Sequence, residues 1–349
     1  MRLLLLPFLP FYALAVWARN WMYDAKILSS RKAQIPTIGV GNLCVGGSGK
    51  TPHVEYLVRL LKDEFKVCTL SRGYGRKSKG FVLAKEPMSS AVLGDESMQY
   101  FQKFSDVSVC VDADRLRAIR NLKTEAPDTE VILLDDAFQY RALKPGLSLM
   151  LTDYFRPCYT DYLLPVGNLR ESRCAMKRAE IIVVTKCPTI LSPIVKDDIL
   201  QKIKPRQNQE VYFSYMKHGP LHNLDGSICE INKDALNHFV VISGIFNPYP
   251  LVEHLRTYTK DIKLFQFSDH HEFTKTELKR IRKYFLDYFC NHKYIVTTEK
   301  DLMRLKDSPV FAEISDLPIC YVPVEVAFHK DGKEEFDKRI LDHVRKHKK

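Results

Sequence analysis

The sequence predicts an α/β protein in which a largely parallel sheet is flanked by helices and followed by a smaller second α/β domain. From Ile35 onward, short apolar runs alternate with amphipathic stretches of helical periodicity. Such alternation is typical of parallel sheets covered by helices on both faces. At 349 residues the chain is too long for one small core, and a polar, proline-containing stretch follows Pro188. We therefore expect an N-terminal segment at 1–24, a core domain at 25–215 and a second domain at 216–349.

The individual elements follow from the length and composition of the runs. Apolar runs with the length of buried strands occur in the first domain at Ile35–Val40, Val67–Leu70, Val107–Val111, Val131–Leu134, Leu147–Thr152 and Ile181–Thr185. Helical periodicity lies between them at 53–63, 95–104 and 112–123. In the second domain we predict strands at Phe239–Ser243, Ile262–Phe267, Tyr294–Thr298 and Ile319–Val322, with helices at Tyr249–Tyr258 and Thr276–Phe289.

The N-terminus is an apolar segment, with fifteen uncharged residues from Leu3 to Trp17. A helix of that length spans roughly 22 Å, less than the ~30 Å hydrocarbon core of a bilayer. Its flank, with Trp21, Tyr23 and Arg19, favours a hydrophobic membrane-associating helix that lies in the interface. The alternatives are a buried first helix and a cleaved signal peptide.

The composition narrows the class of partner. A net charge of +11 favours an anionic partner, such as a phosphorylated substrate or an anionic membrane surface. The sequence has no zinc-finger spacing, ribonucleoprotein motif or heptad-bearing basic region, so we expect no nucleic acid. The nine cysteines are scattered singly without a C-x-x-C pair, which indicates reduced thiols in the cytoplasm.

A glycine-rich loop follows the first predicted strand and precedes a predicted helix. Backbone N–H groups in such a loop surround phosphate oxygens, while the lysine reaches the β- and γ-phosphates and the threonine hydroxyl binds Mg²⁺. The candidate nucleotide-binding residues are Cys44, Val45, Gly46, Gly47, Ser48, Gly49, Lys50 and Thr51. Cys44 stands where the phosphate-loop pattern has its first glycine, and an ordinary glycine-rich turn is the alternative. The loop, with its strand and helix, indicates a P-loop NTPase-type core.

Two aspartates supply the other half of this predicted site. Asp135 and Asp136 end the apolar run Val131–Leu134, which places a carboxylate at the carboxyl end of a buried strand. We interpret them, with Thr51, as the Mg²⁺ site, although aspartates at strand ends also serve as turn formers. In Thr185–Pro188, proline replaces the aspartate of the guanine-reading N-K-x-D element, which favours ATP over GTP.

Several further motifs occur in a fixed order along nearly the whole chain. They are the loop Gly41–Pro52, Ser71–Arg76, Gly94–Glu96, Asp135–Tyr140, Leu164–Glu171, Asp269–His271 and Thr298–Asp301. Together they resemble the tetraacyldisaccharide 4′-kinase family of lipid A biosynthesis. The chain departs from the family pattern at Ala137, Tyr140 and Asn168.

The resemblance implies transfer of the ATP γ-phosphoryl group, with Mg²⁺, to the 4′-hydroxyl of a membrane-embedded acylated glucosamine disaccharide 1-phosphate. The product would be the lipid A precursor lipid IVA, made at the cytoplasmic face of the bacterial inner membrane without an obligate protein partner. Lys50 is then catalytic.

The resemblance also implies an acid–base pair. Asp95 takes the position of the base and His270 that of its hydrogen-bonding partner. The alternatives are a helix-capping aspartate and a structural histidine.

Further residues are candidates for substrate contacts. Arg72, Arg76 and Arg170 suit phosphate or disaccharide contacts, with a solvated basic face as the alternative. On the resemblance alone, Gln139 orients the substrate or a metal-bound water.

Two other functions fit the same motifs. A peripheral membrane P-loop ATPase that acts as a conformational switch would hydrolyse ATP on stimulation by lipid or a partner protein. A non-catalytic nucleotide-binding module would bind ATP without turnover.

Overall fold

The structure is a computed structural model that describes residues 2–232, 234–245, 247–268 and 271–347. The side chains at 2–4, 307 and 331 are outside this description. In chain order, the helices are α1 (Leu9–Asp24), α2 (Lys50–Leu61), α3 (Ser90–Leu93), α4 (Asp95–Lys103), α5 (Arg115–Glu125), α6 (Pro193–Ile203), α7 (Tyr249–Leu255), α8 (Lys275–Asp287), α9 (Glu299–Asp307) and α10 (Lys330–Arg345). Short 3₁₀ segments lie at Arg2–Phe8, Arg173–Arg178 and Pro309–Glu313.

The strands lie between these helices. They are β1 (Arg31–Lys32), β2 (Thr37–Asn42), β3 (Val67–Ser71), β4 (Val82–Leu83), β5 (Ser108–Val111), β6 (Val131–Asp135), β7 (Leu143–Lys144), β8 (Leu147–Asp153), β9 (Ile181–Thr185), β10 (Glu210–His218), β11 (His222–Asn223), β12 (Asn237–Ser243), β13 (Asp261–Gln266), β14 (His292–Thr298), β15 (Ile319–Val322) and β16 (Val324–Phe328).

The chain divides into two compact units. One comprises the chain up to Met216 together with the chain from Val326 onward, and the other is Lys217–Glu325. We predicted that all of 216–349 belongs to the second domain, and this is wrong for its last part. The physical reason is that Phe336 of α10 is buried in the same core as Leu57 of α2.

The first unit contains a sheet of nine strands in the described residues, in the order β16-β10-β9-β8-β2-β6-β3-β5-β4. The central strand β2 is parallel to β6 on one side and to β8 on the other. The ladders β8–β9, β9–β10, β3–β6 and β3–β5 are also parallel, and the edge strand β4 is antiparallel to β5. The carboxyl ends of β2, β6, β8 and β9 therefore meet at one edge, where open α/β sheets bind ligands.

Both faces of this sheet are covered. In β6, Val131 and Leu133 join the core formed with α2, α4 and α10, whereas Ile132 and Leu134 face the core formed with α5. This alternation follows from the two-residue period of a strand. Burial of each large apolar side chain stabilises the fold by about 1.5–3 kcal/mol.

The second unit has its own sheet, in the order β11-β15-β14-β12-β13. Its ladders are parallel except that of β11 with β15. Apolar side chains of α8 and α9 cover one face, and those of α7 join the core of the other.

The predicted α/β class with parallel sheets is confirmed, and each predicted strand overlaps an observed one. The predictions missed α6 and β10, which lie in the stretch that we took for a boundary. Among the described residues, no helix combines the length and the apolar character needed to cross a membrane.

Candidate active site

The phosphate loop lies between β2 and α2, as the sequence predicts, and its conformation depends on two glycines. Gly46 has φ of +100° and Gly49, immediately before α2, has φ of +83°. Glycine adopts this region at little steric cost, whereas other residues are strained there. The loop from Cys44 to Thr51 thus turns directly into the N-terminus of a twelve-residue helix, where partial positive charge favours phosphate.

The departure at Cys44 fits this loop without distortion. Its backbone pairs with that of Leu169, and the Val45 N–H donates to the Asn168 carbonyl at 2.8 Å. Burial raises the pKa of the Cys44 thiol to about 12, so the thiol is neutral at physiological pH. A side chain is tolerated here because, unlike Gly46 and Gly49, Cys44 does not have a positive φ.

Lys50 lies between the loop and the aspartates. Its Nζ is 3.5 Å from Oδ1 of Asn42 and 3.6 Å from Oδ1 of Asp136. The ammonium group is thus at the carboxyl edge of the sheet, where a bound triphosphate would carry its charge.

Asp135, the last residue of β6, is buried, with one carboxylate oxygen occupied and one without a partner. Oδ2 accepts a hydrogen bond from the Tyr100 hydroxyl at 3.1 Å, whereas Oδ1 has no partner among the described residues. Burial raises the pKa of Asp135 to about 6, although the charge of Lys50 acts against the increase. Tyr100 also shares a hydrogen bond with Thr51, which brings two of the three predicted metal ligands, Thr51 and Asp135, to one tyrosine hydroxyl. An unpaired buried carboxylate oxygen beside a hydroxyl fits a divalent cation.

Asp136 is engaged differently, although it is adjacent in sequence. Its left-handed backbone, with φ of +48°, turns its carboxylate to Arg170. Nη1 of Arg170 lies 3.0 Å from Oδ2, and Nη2 lies 2.9 Å from Oδ1. Burial alone would raise the pKa of Asp136, but the hydrogen bonds of Arg170 and the charge of Lys50 lower it to about 2. Of the two predicted carboxylates, Asp135 is therefore better placed to accept a metal.

Arg170 and Gln139 both meet Asn42 at the end of β2. Arg170 donates to the Oδ1 of Asn42, and Nε2 of Gln139 donates to the Asn42 carbonyl at 2.8 Å. The Oε1 of Gln139 is buried and has no partner among the described residues. Two of the four residues predicted to contact substrate, Arg170 and Gln139, are thus at the site, and Gln139 retains an acceptor for a water or a hydroxyl.

The other two predicted arginines differ in placement. The Arg76 guanidinium donates to the Gly80 carbonyl at 2.8 Å and to the Val111 carbonyl at 3.4 Å, so it fixes the loop after β3. Arg72 is exposed at the end of β3. The structure therefore leaves Arg72 accessible to an anion and gives Arg76 a local bracing contact.

A fourth arginine, Arg115, was missed by the sequence analysis. Its side chain is almost fully buried, and its Nε has no hydrogen-bond partner among the described residues. Burial lowers the pKa of Arg115, whereas the nearby charges of Asp136 and Asp135 raise it. It also lies 5.2 Å from the ring of Tyr140. The sequence signal that could have identified Arg115 was its position as the first residue of α5. A positive charge at a helix N-terminus is unfavourable because of the helix dipole, so its presence there needs another explanation.

Asp95 is the first residue of α4 and follows Gly94, which has φ of +84°. A side chain at Gly94 would come within 2.7 Å of the Tyr74 carbonyl, so α4 begins against the loop after β3. The charge of the neighbouring Glu96 contributes to the raised pKa of Asp135, which places this helix turn near the site. An acid here also stabilises the helix dipole, so the base role of Asp95 stays a prediction. His270 lies outside the described residues.

The helix α1 is attached to the same segments that hold Arg170 and Gln139. The Tyr12 hydroxyl donates to the Arg170 carbonyl at 3.0 Å, and Arg19 donates to the Gln139 carbonyl at 2.9 Å. No residue of α1 is buried, and Phe11 and Trp17 are 73% and 61% exposed. The exposed aromatic side chains of α1 thus form an apolar surface next to the segments that contain Arg170 and Gln139.

Comparison with known proteins agrees with this geometry. A family model described as tetraacyldisaccharide-1-P 4′-kinase matches residues 1–345. A relative from Phocaeicola vulgatus, named tetraacyldisaccharide 4′-kinase, is 44% identical over 342 residues, which cover 96% of this chain and 93% of the relative. A relative of the same name from Flavobacterium johnsoniae is 40% identical over 348 residues, covering 99% and 98%.

A solved structure is similar along the whole chain as well. It is described as the "apo" form of LpxK from Aquifex aeolicus in complex with ATP, and it is 27% identical to this protein. The match has a TM-score of 0.74 and covers 98% of this chain and 99% of that one. Together with the phosphate loop, the Asp135 carboxylate and the Arg170–Asp136 pair, these similarities establish that the protein is a kinase and belongs to the tetraacyldisaccharide-1-P 4′-kinase family.

Proposed function

We propose that this protein transfers the γ-phosphoryl group of ATP to the 4′-hydroxyl of a tetraacyl glucosamine disaccharide 1-phosphate and so forms the lipid A precursor lipid IVA. The observation that carries the proposal is the Asp135 carboxylate. It is buried beside the phosphate loop, shares Tyr100 with Thr51 and keeps one oxygen without a protein partner. Relatives that are 44% and 40% identical to the chain carry the name of this activity.

The site fits Mg²⁺ although few protein groups would hold it. Thr51 and Asp135 are the residues that would bind the ion, because the carboxylate of Asp136 is already paired with Arg170. The described residues contain no cluster of three or more His, Cys, Asp or Glu side chains that would enclose a metal. Magnesium bound to nucleotide takes most of its ligands from phosphate oxygens and water, so two protein ligands suffice. The ion supplies neutralisation of the charge that develops on the phosphates.

The chain's own residues then account for the transfer. Lys50 and the amides of the phosphate loop hold the β- and γ-phosphates, and Arg115 presents a buried positive charge near the aspartates. The 4′-oxygen forms a bond to the γ-phosphorus as the bond between that phosphorus and the bridging oxygen of ADP breaks. Asp95 accepts the hydroxyl proton, and His270 supports Asp95.

We further propose that the enzyme works on the cytoplasmic face of the bacterial inner membrane. An acyl-chain substrate stays in the bilayer, so the enzyme has to reach the membrane surface. The exposed aromatic side chains of α1 suit burial at that surface, and the net charge of +11 suits anionic lipid and a phosphorylated substrate. No obligate protein partner and no nucleic acid is required.

One labelling experiment tests the activity. The enzyme is incubated with γ-labelled ATP, Mg²⁺ and vesicles that contain the disaccharide 1-phosphate, and the label is followed into lipid and into inorganic phosphate. We expect label in a glycolipid with one additional phosphate. Label only in inorganic phosphate, stimulated by vesicles without the acceptor, would instead indicate the ATPase switch.

A further inference from the structure

Three consecutive carbonyls of the phosphate loop are each held by a side chain. The Gly47 carbonyl accepts from Nζ of Lys186, and the Ser48 carbonyl accepts from Oγ1 of Thr185 at 2.9 Å. The Gly49 carbonyl lies 2.7 Å from Nδ1 of His53. Two of these contacts come from the end of β9, more than 130 residues away in sequence.

Lys186 is fixed in place on both sides. Its backbone is left-handed, with φ of +58°, which is costly for a residue with a side chain. Its Nζ also lies 2.8 Å from Oδ2 of Asp153 at the end of β8. The other oxygen of Asp153 accepts from the N–H of Phe155 at 2.9 Å, so the carboxylate is itself immobilised. A strained backbone held by several contacts is typical of a residue with a functional constraint.

The proton on His53 is assigned by its partners. A carbonyl only accepts hydrogen bonds, so the proton is on Nδ1, which donates to Gly49. Nε2 then accepts from the Ser214 hydroxyl at 2.9 Å, and Ser214 is fully buried.

The geometry of the peptide group connects these contacts to phosphate binding. In a planar trans peptide, the C=O of one residue and the N–H of the next point in opposite directions. The Gly47 peptide directs the Ser48 N–H to the Gly46 carbonyl, 3.0 Å away, which closes the turn. The next two peptides direct the N–H groups of Gly49 and Lys50 away from their braced carbonyls, to the side where a phosphate would bind.

We propose that Thr185 and His53 are positioning residues that orient the Gly49 and Lys50 amides toward the β- and γ-phosphates of ATP, and that Lys186 positions the same loop by fixing the turn between Gly46 and Ser48. We call these three side-chain contacts with the loop carbonyls the brace. This inference rests on the proposed function, because it assigns the loop to ATP. Preorganised donors bind phosphate more tightly, because their conformational freedom is already restricted before binding and less entropy is lost when the phosphate binds.

Variants that keep side-chain shape test the proposal. Lys186→Met keeps the aliphatic stem and removes the ammonium group, and Thr185→Val keeps the buried volume and removes the hydroxyl. We expect the Kd for the β,γ-methylene analogue of ATP to rise about 10-fold or more in Lys186→Met and about 5-fold in Thr185→Val. KM for ATP should rise in parallel, while KM for the lipid acceptor and Tm stay near the wild-type values.

Lys204→Met is the matched control. Lys204 is also a left-handed lysine, with φ of +51°, but it is exposed at the end of α6. We expect the wild-type Kd in this variant. An equal rise in both lysine variants would mean that loss of positive charge, rather than the brace, weakens ATP binding, and would overturn the proposal.

A second comparison separates the brace from a structural ion pair. If Lys186 only neutralises Asp153, the double variant Asp153→Asn/Lys186→Met should regain wild-type affinity. If Lys186 acts through the brace, the double variant should bind ATP as weakly as Lys186→Met, because the Gly47 carbonyl still lacks its hydrogen bond from Lys186. Wild-type nucleotide affinity in Lys186→Met would also refute the brace.

Wild-type enzyme that binds the analogue but labels no lipid would refute the proposed function and leave the brace intact.

Discussion

Arg170 holds Asp136 through two parallel hydrogen bonds, with nitrogen–oxygen distances of 3.0 and 2.9 Å. The neighbouring Asp135 receives one hydrogen bond from Tyr100 and keeps its other oxygen without a partner among the described residues. The pKa of Asp136 is consequently lowered to about 2, and that of Asp135 is raised to about 6. Two adjacent carboxylates are thus prepared for different tasks, one to complete an ion pair and the other to accept a metal.

The first prediction concerns the Arg170–Asp136 pair. We expect Arg170→Ala to lower kcat/KM for ATP by roughly 10²-fold, because it removes the bidentate, charge-assisted contact that holds Asp136 beside Lys50 of the phosphate loop. Arg170→Lys should recover little of this loss, since an ammonium group cannot form two parallel bonds. Steady-state kinetics check this, with the exposed Arg206→Ala as control. Near wild-type activity in Arg170→Ala would show that the pair has no part in the reaction.

The second prediction concerns the stability cost of Asp135. Its folded pKa of about 6 exceeds the ordinary value of 3.8, so the folded state binds the proton more tightly than the unfolded state. Stability therefore falls as pH rises from 3.8 to about 6, by roughly 3 kcal/mol. In EDTA at pH 7.5, Asp135→Asn should be more stable than wild type in urea denaturation, and the difference should vanish near pH 4. The same variant should lose most kinase activity.

Asp136→Asn is the matched control for that experiment, with the opposite sign. The lowered pKa of Asp136 contributes stability that is present above 3.8 and is lost as pH falls through about 2. We therefore expect Asp136→Asn to be less stable than wild type at pH 7.5, by a modest amount because the side chain is 37% exposed. Stabilisation by both substitutions would show that burial, rather than Arg170, dominates at Asp136.

The third prediction tests Asp95 as the base. Asp95→Asn keeps the shape of the side chain but removes the proton acceptor, so kcat should fall by roughly 10²–10⁴-fold. ATP affinity and Tm should change little, because Gly94, not Asp95, is the N-cap of α4. His270→Ala should cost less, and the double variant should be little worse than Asp95→Asn alone. Additive losses would mean that the two residues do not work as a pair.

The fourth prediction concerns α1 and the membrane. Phe11→Ser and Trp17→Ser alter exposed side chains and leave the hydrogen bonds of Tyr12 and Arg19 in place. We expect the double variant to bind anionic vesicles roughly 10-fold or more weakly, because it loses apolar area available for interfacial burial. Activity on a short-chain, water-soluble acceptor should be unchanged. A parallel loss with both acceptors would show that α1 acts through the site rather than through the membrane.

Much of the parallel core could be read from the sequence because its strands are short apolar runs with clear limits. Strand Ile181–Thr185 was predicted with its observed bounds, and Val131–Leu134 differs by one residue. The strand β10 was missed because its residues after Ser214 are partly buried or exposed and its apolar pattern is weak. The helix α10 was assigned to the wrong unit because helical periodicity shows which face is buried but not which sheet covers it.

Within the site, motifs identified the loop and the paired aspartates, but not the division of labour between them. That division depends on the left-handed turn at Asp136 and on Arg170, 34 residues further along the chain. Short sequence motifs do not contain such long-range contacts. Arg115 and Lys186 escaped detection for the same reason, since their partners come from other strands.

The return of α10 to the first sheet also has a consequence for biosynthesis. Phe336 and Ile340 complete the apolar face that α2 shares, and the Tyr56 hydroxyl donates to Asp337 at 2.6 Å. A ribosome makes these residues after the whole of Lys217–Glu325. The nascent chain therefore carries a kinase core with one uncovered hydrophobic face throughout the translation of the second unit, and that face is covered only when α10 leaves the exit tunnel. Chains that terminate prematurely before α10 would expose that face and become substrates for chaperones and proteases.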